Sequence, residues 1–222
     1  MIFRDRTDAG RQLAARLTRY ADRSDVLVLA LPRGGVPVAY EVAKELNAPL
    51  DVFLVRKLGV PGHEELAMGA IASGGVRVLN QDIVNYLGIS DDVIDAVAAR
   101  EQRELERRER AYRDNRPLPD VKDRVLILID DGLATGSTMR AAAASLRLQK
   151  PRRIVVAVPV SSPETCDEFR SEVDEIVCAF TPEHFQGVGF WYEDFSQTSD
   201  DEVRELLERA TQQQHHVASS AP

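Results

Sequence analysis

The sequence predicts an α/β fold: a Rossmann-like parallel sheet flanked by helices, with a small hood at one end. Three observations carry that prediction. Short aliphatic runs alternate with helical patterns along most of the 222 residues, and such alternation implies a parallel sheet covered on both faces. Residues 26–31 and 125–129 are apolar at every position, as expected of strands buried on both sides. Loops rich in glycine or hydroxyl residues follow these runs, where α/β proteins place ligands at the carboxyl ends of strands.

The elements follow in order. Residues 7–21 carry Leu13, Leu17 and Tyr20 at helical spacing. Residues 26–31 form a short buried strand. Residues 37–46 form a helix whose proline sits near the first position, where its missing N–H does no harm. Residues 51–55 are strand-like, ending in Val55-Arg56-Lys57, and residues 70–79, broken by Ser73-Gly74-Gly75, read as a hairpin. Strands at 125–130 and 154–159 flank a helix at 138–149. Ser162-Pro163 caps the next helix, and residues 175–179 make the last core strand.

Two segments leave this rhythm. Residues 91–114 form a long helical insert, poor in large apolar residues and dense in Arg and Glu between Arg100 and Arg110. One reading is a solvent-exposed helix laced by pairs at four-residue spacing, each stabilising by about 0.2–0.5 kcal/mol. The other is a subunit contact, which leaves a homodimer open, or a lid presenting arginines to a phosphate. Near the end, Ser199 and Glu202 make a capping box for a last helix. Residues 211–222 are polar and read as a disordered tail. The organisation is therefore a single domain over 1–210, with the hood drawn from both chain ends.

Composition narrows the function. Hydrophobic residues make up 44% and charged residues 29%, ordinary for a soluble protein. No stretch is apolar enough to span a bilayer, and Met1-Ile2-Phe3 runs straight into Arg4-Asp5-Arg6 without the look of a signal peptide. A net charge of −8 argues against a nucleic-acid partner. It does not argue against a small anion held by local amides and cations. Cys166 and Cys178 lack metal-ligand spacing and are expected as reduced core thiols in a cytoplasmic protein.

The most informative stretch is Val125 to Met139, VLILIDDGLATGSTM. An aliphatic strand ends in Asp130 and Asp131. Ala134, Thr135, Gly136, Ser137 and Thr138 then lead into an alanine-rich helix. Free amides, hydroxyls and the positive end of a helix dipole converge in such a loop, which makes it a phosphate cradle. Two acids just upstream would repel the anion unless sugar hydroxyls or a divalent cation lie between. Walker and dinucleotide loops are excluded, since neither Gly-Lys-Ser/Thr nor GxGxxG is present here.

This motif resembles the signature by which type I phosphoribosyltransferases bind phosphoribosyl pyrophosphate (PRPP). The resemblance covers about residues 26–195 apart from the helical insert. It implies that Asp130 and Asp131 bind the ribose hydroxyls and are the catalytic pair, with Asp131 as base or cation stabiliser. Ala134 to Thr138 would bind the 5′-phosphate. Gly132 departs from the pattern, standing where an aliphatic residue is usual, and would loosen the loop.

The same resemblance assigns pyrophosphate to Arg33, Gly34 and Gly35 after the first strand and to Arg56 and Lys57 after the next. Gly59, Pro61 and Gly62 would hinge a mobile flap that carries His63, Glu64 and Glu65 where a cation is common. Phe190, Trp191 and Asp194 loosely match a hood that stacks on a base and reads its edge. Magnesium would bridge substrate oxygens near Asp130 and Asp131, through ribose or water.

The implied activity is Mg-dependent transfer of 5-phosphoribosyl from PRPP to a nitrogenous base, purine-like by preference, with release of pyrophosphate. Two alternatives stay open. One is a non-catalytic PRPP- or nucleotide-binding regulator on the same fold. The other is a metal-dependent phosphatase or receiver-type domain using the acid pair, though such a domain would not need a hydroxyl-rich anion loop behind it.

Overall fold

The computed structural model describes residues 2–114 and 116–220. Five parallel strands form the central sheet: β1 (Val26–Ala30), β2 (Leu50–Val52), β6 (Val125–Ile129), β7 (Arg153–Val160) and β8 (Glu175–Phe180). Their spatial order is β2-β1-β6-β7-β8. Three further strands, β3 (Val55–Val60), β4 (His63–Ala72) and β5 (Val76–Leu79), form a separate antiparallel sheet. The helices are α1 (Arg6–Ala14), α2 (Gly35–Leu46), α3 (Gln81–Leu87), α4 (Asp91–Arg113), α5 (Ser137–Leu148), α6 (Pro163–Phe169) and α7 (Asp200–Ser220).

Because successive strand residues point to opposite faces, the two sides of the sheet build two cores. Val26, Val28 and Ala30 of β1 join Val125, Ile127 and Ile129 of β6 under α1, α2, α4 and α7. Leu27, Leu29, Leu126 and Leu128 face the other way, with Met139, Leu146 and Phe169 of α5 and α6. Every residue of β1 and β6 is buried, as their unbroken aliphatic runs require. In register, Ala30 stands beside Ile129. From this pair the chain winds outward through β2 on one side and through β7 and β8 on the other. That reversal opens a crevice at the carboxyl ends of β1 and β6, the place where open α/β sheets bind ligands.

Several expectations need correction. The helix expected over 7–21 ends at Ala14, and residues Thr18–Tyr20 form a separate 3-10 turn. The strand expected over 51–55 is Leu50–Val52, so Val55, Arg56 and Lys57 do not end it but open β3 of the second sheet. The proposed flap is the β3–β4 hairpin, joined by a turn at Pro61 and Gly62, with a register shift around Gly59. The hairpin at Ser73-Gly74-Gly75 is found between β4 and β5.

The helical insert is not a free surface helix. Ile94, Val97, Ala98, Leu105 and Tyr112 fall on one face of α4 and are buried, and α4 packs on β3, β4 and α7. Nor is the polar end structureless, since α7 continues through Ser220. Gln213 donates to the Tyr40 hydroxyl and Gln214 to the Ala48 carbonyl, docking this turn on α2. Residues 221–222 of the expected tail lie outside the described residues. The cysteines are not separate thiols. α6 returns against β8 with the Cα atoms of Cys166 and Cys178 6.8 Å apart, and the two sulfurs are joined as a disulfide. Among the described residues, no helix is long and apolar enough to cross a membrane.

Candidate functional site

The acid pair lies at the crevice. Asp130 follows β6 directly, and its Oδ1 accepts the Asp131 backbone N–H at 2.9 Å. Burial raises the Asp130 pKa well above the ordinary carboxylate value, and the neighbouring Asp131 charge adds to it. Asp131 is raised too, again by burial, with Arg6 opposing the shift. Arg6 sends both Nε and Nη2 to one oxygen, Asp131 Oδ2, each at 2.8 Å. The Asp131 side chain is 15% exposed and that of Arg6 11%. One carboxylate oxygen of Asp131 is therefore committed inside the protein.

Gly34 and Gly35 press against this pair. A methyl group at Gly34 would collide with the Asp131 carboxylate, and one at Gly35 would sit 2.7 Å from the Ile129 carbonyl oxygen. Only glycines let the amino end of α2 approach so closely. The Pro32–Arg33 peptide beside them is cis. The Arg33 guanidinium lies 3.8 Å from Asp200 at the start of α7.

The second loop is preformed. Leu133 N–H bonds to the Val160 carbonyl at 2.9 Å, and the Thr165 hydroxyl donates to the Ala134 carbonyl at 3.0 Å. Arg140 Nη1 donates to the Thr135 carbonyl at 2.5 Å, while its other nitrogens bond Glu168 and Glu172. Gly136 adopts a left-handed φ of +70° and lies against the Phe169 ring. These bonds use up carbonyls and leave donors. α5 starts at Ser137 with no side-chain cap, so its first amides point outward. Ala134, Thr135, Ser137 and Thr138 are exposed. With Asp130 they line a hollow of about 150 Å³, and the helix dipole favours an anion there.

The remaining expected residues are spread around this centre. Arg56 and Lys57 are adjacent in a strand and so face opposite ways. Arg56 turns toward α4 and donates to Glu101 at 2.9 and 2.6 Å, whereas Lys57 is exposed. They cannot both face one pyrophosphate, as was expected of them. Gly59 lies in β3. Gly62, His63 and Glu64 sit at the exposed hairpin tip, where Glu64 accepts the Gly62 N–H.

In the hood, Phe190 is 67% exposed. Trp191 packs edge-on against Phe180, with ring centroids 5.2 Å apart. Asp194 is exposed and accepts the Ser196 N–H. Next to these residues, Phe3 exchanges backbone hydrogen bonds with Trp191 and Glu193, both 2.8 Å.

Three further residues complete the site: Arg6 and Tyr192, to which the sequence assigned no role, and Val188, which it placed only loosely in the hood segment. Arg6 links the acid pair to the hood, donating to the Ser196 carbonyl at 2.7 Å and lying 4.1 Å above the Phe195 ring. Tyr192 donates its hydroxyl to the Asp131 carbonyl at 2.6 Å, and burial, with Asp131 nearby, raises its pKa. Val188 packs on Gly132, where any Cβ would meet it at 2.6 Å. Gly132 thus fits the hood onto the strand end instead of loosening the loop. Val188 and Tyr192 had a local signal in the aromatic segment from Gly187 to Phe195, and Arg6 had none.

Among the described residues no group of three or more His, Cys, Asp or Glu could hold a metal ion. The acid pair can still fit a hard cation. Of these adjacent carboxylates Asp131 is bound by the Arg6 guanidinium through one oxygen only, and Asp130 accepts the Asp131 N–H. Substrate oxygens and water would have to complete the shell, which is how magnesium is commonly bound.

Comparisons with known proteins agree with this geometry. The model of the phosphoribosyl transferase domain family matches residues 3–190. A Mycobacterium tuberculosis protein named "putative phosphoribosyl transferase" is 48% identical over 209 residues, covering 94% of this chain and 47% of that protein. The chain thus spans about half the length of the curated relatives it matches. The crystal structure of TT1426 from Thermus thermophilus superposes with a TM-score of 0.83 at 42% identity, covering 94% of this chain and 99% of that one. The AQ2163 protein of Aquifex aeolicus shares the fold, with a TM-score of 0.51 at 12% identity over 91% of this chain and 85% of that one.

Proposed function

The chain belongs to the phosphoribosyl transferase domain family, and from that premise we propose that it transfers 5-phosphoribosyl from PRPP to a nitrogenous base, purine-like by preference, releasing pyrophosphate. One observation carries this reading: the uncapped start of α5 and the exposed Thr135, Ser137 and Thr138 share a hollow with Asp130. That hollow can seat a sugar phosphate whose ring hydroxyls then reach the acids.

The chemistry asks little covalent work of the protein. Displacement at the anomeric carbon passes through an oxocarbenium-like transition state, as in glycoside chemistry. The chain has to fix the sugar, neutralise the leaving diphosphate and keep water out. Asp130 and the uncommitted oxygen of Asp131 would accept the ribose hydroxyls, and Asp131, whose carboxylate Arg6 supports against the effect of burial, would face the developing positive charge. Magnesium, held near Asp130 and Asp131 through ribose or water, would supply charge neutralisation for the diphosphate. The Gly34–Gly35 turn would let the start of α2 come close to the diphosphate. Phe190, exposed on the hood, offers a face on which a base can stack.

The test is incubation with PRPP, magnesium and a pool of bases, followed by assay for pyrophosphate and new nucleotide masses. Pyrophosphate with a nucleotide product supports transfer. PRPP binding without either product would favour the second reading, a PRPP-binding regulator. The ion pairs that engage Arg33 and Arg56 internally favour that alternative. Absence of PRPP binding would refute both.

A further inference from the structure

The reading above leaves α4 unused, yet this helix reaches the seam between the two loops. A cleft of about 40 Å³ is lined jointly by Pro32 beside the first loop, Thr138 of the second, Arg56 of β3, and Arg108 and Tyr112 of α4. Around it the charges are unevenly matched. Glu104 accepts from both Arg107 and Arg108, and Glu101 from both Arg56 and Arg100. Asp200 is approached by Arg33 at 3.8 Å and receives the Tyr112 hydroxyl at 2.6 Å. The Tyr112 pKa is pushed up to about 12, first by burial and then by that bond, while Arg108 and Arg33 oppose the rise from close by.

Of these arginines Arg56 and Arg108 line the cleft itself, and each shares its carboxylate with a second arginine, so the wall keeps positive charge after its internal pairing. The acid pair on the other side of the crevice offers the opposite field. A ligand that satisfies both carries hydroxyls at one end and a multiply charged anion at the other.

We propose that α4 is part of the ligand site: Arg108, together with Arg33, binds the diphosphate end of the substrate, with Glu104 competing for Arg108 and the Asp200 carboxylate for Arg33. The proposal rests on the phosphoribosyl transfer reading and adds to it a cation from outside the parallel-sheet core. It also explains why a helix so rich in arginine packs against the binding crevice and not on a remote face. Arg108 sits on an exposed stretch of α4, 43% accessible, and can leave Glu104, which keeps Arg107.

The test is calorimetric titration of the full chain with magnesium pyrophosphate and, separately, with ribose 5-phosphate. Wild type is compared with Arg108→Met and Asp200→Asn. Loss of one charge-assisted contact predicts about tenfold weaker pyrophosphate binding by Arg108→Met. Removing the competing carboxylate predicts severalfold tighter binding by Asp200→Asn. Both variants should keep the wild-type affinity for ribose 5-phosphate, which reports on the other loop. Wild type that binds ribose 5-phosphate but not pyrophosphate overturns the inference, as does unchanged pyrophosphate affinity in Arg108→Met. A parallel loss of both ligands in that variant would make α4 structural support and overturn it too. If wild type binds neither ligand, the transfer reading itself has failed.

Discussion

The two walls of the crevice are built in contrasting ways. The phosphate loop comes from one uninterrupted segment: β6, the acids, residues 132–136 and α5 follow one another, braced by Arg140 of α5 itself and by Thr165 from α6. The opposite wall is assembled from distant pieces. Arg6 and Asp131 are 125 residues apart, and Tyr192 meets Asp131 across 61. A contiguous loop can recognise a phosphate by its own backbone. A composite wall can couple that recognition to the hood, because the same guanidinium touches the acid, Ser196 and Phe195.

The contrast can be broken experimentally, starting with the acids where the two walls meet. Asp130→Asn and Asp131→Asn should each lower transfer turnover by on the order of a hundredfold through lost sugar positioning. Steady-state kinetics checks this, and unchanged turnover in both variants would remove the pair from the mechanism. Asp130→Asn should also unfold at a temperature no lower than wild type, since it relieves a buried charge.

Next comes the contiguous wall. Gly136→Ala puts a Cβ on a left-handed residue and against Phe169, and should cost about 1–3 kcal/mol in denaturant unfolding. It should weaken ribose 5-phosphate binding as well. A variant as stable as wild type would mean that the loop is not held in this shape.

The composite wall should respond differently. Arg6→Met leaves the part-buried Asp131 carboxylate without its cation, at a cost of about 1–3 kcal/mol. Its signature is faster amide exchange around residues 191–196, because the guanidinium anchors that segment. If exchange there is unchanged, hood and acid pair are not coupled through Arg6.

The smallest effect is expected far from the crevice. Burial alone would raise the Asp174 pKa, but the Ile154 N–H and Arg147 outweigh it and the net shift is downward. A depressed carboxylate stabilises the fold above its unfolded pKa, and that contribution is lost as pH falls through the folded value. Asp174→Asn should therefore be slightly destabilised near neutral pH, with the gap closing on acidification and ligand binding untouched. A gap that widens in acid would contradict the sign.

The same contrast explains what could be read from the sequence. Residues 125–139 announced strand, acids, loop and helix because each is encoded by its own neighbours, and the structure places them so. The parallel order could be inferred because fully apolar strands need cover on both faces. Arg6 gave no such signal, since an arginine in a first helical turn looks ordinary until the chain folds, and for Tyr192 and Arg108 the aromatic cluster and the arginine-rich helix were visible but not which member reaches the site. The apolar face of α4 was thin enough to pass for a surface helix, since Glu101 and Arg113 help to fill it as buried ion-paired groups. The disulfide was invisible for a related reason, because only the return of α6 onto β8 brings Cys166 to Cys178.

The central claim is that residues 134–138 hold a sugar phosphate while Asp130 and Asp131 accept its ring hydroxyls. Titration with ribose 5-phosphate and 2-deoxyribose 5-phosphate, both with magnesium, tests it most directly. The account predicts about tenfold weaker binding of the deoxy sugar, a difference that disappears in Asp130→Asn,Asp131→Asn. Equal affinity of the wild-type protein for the two sugars would contradict it.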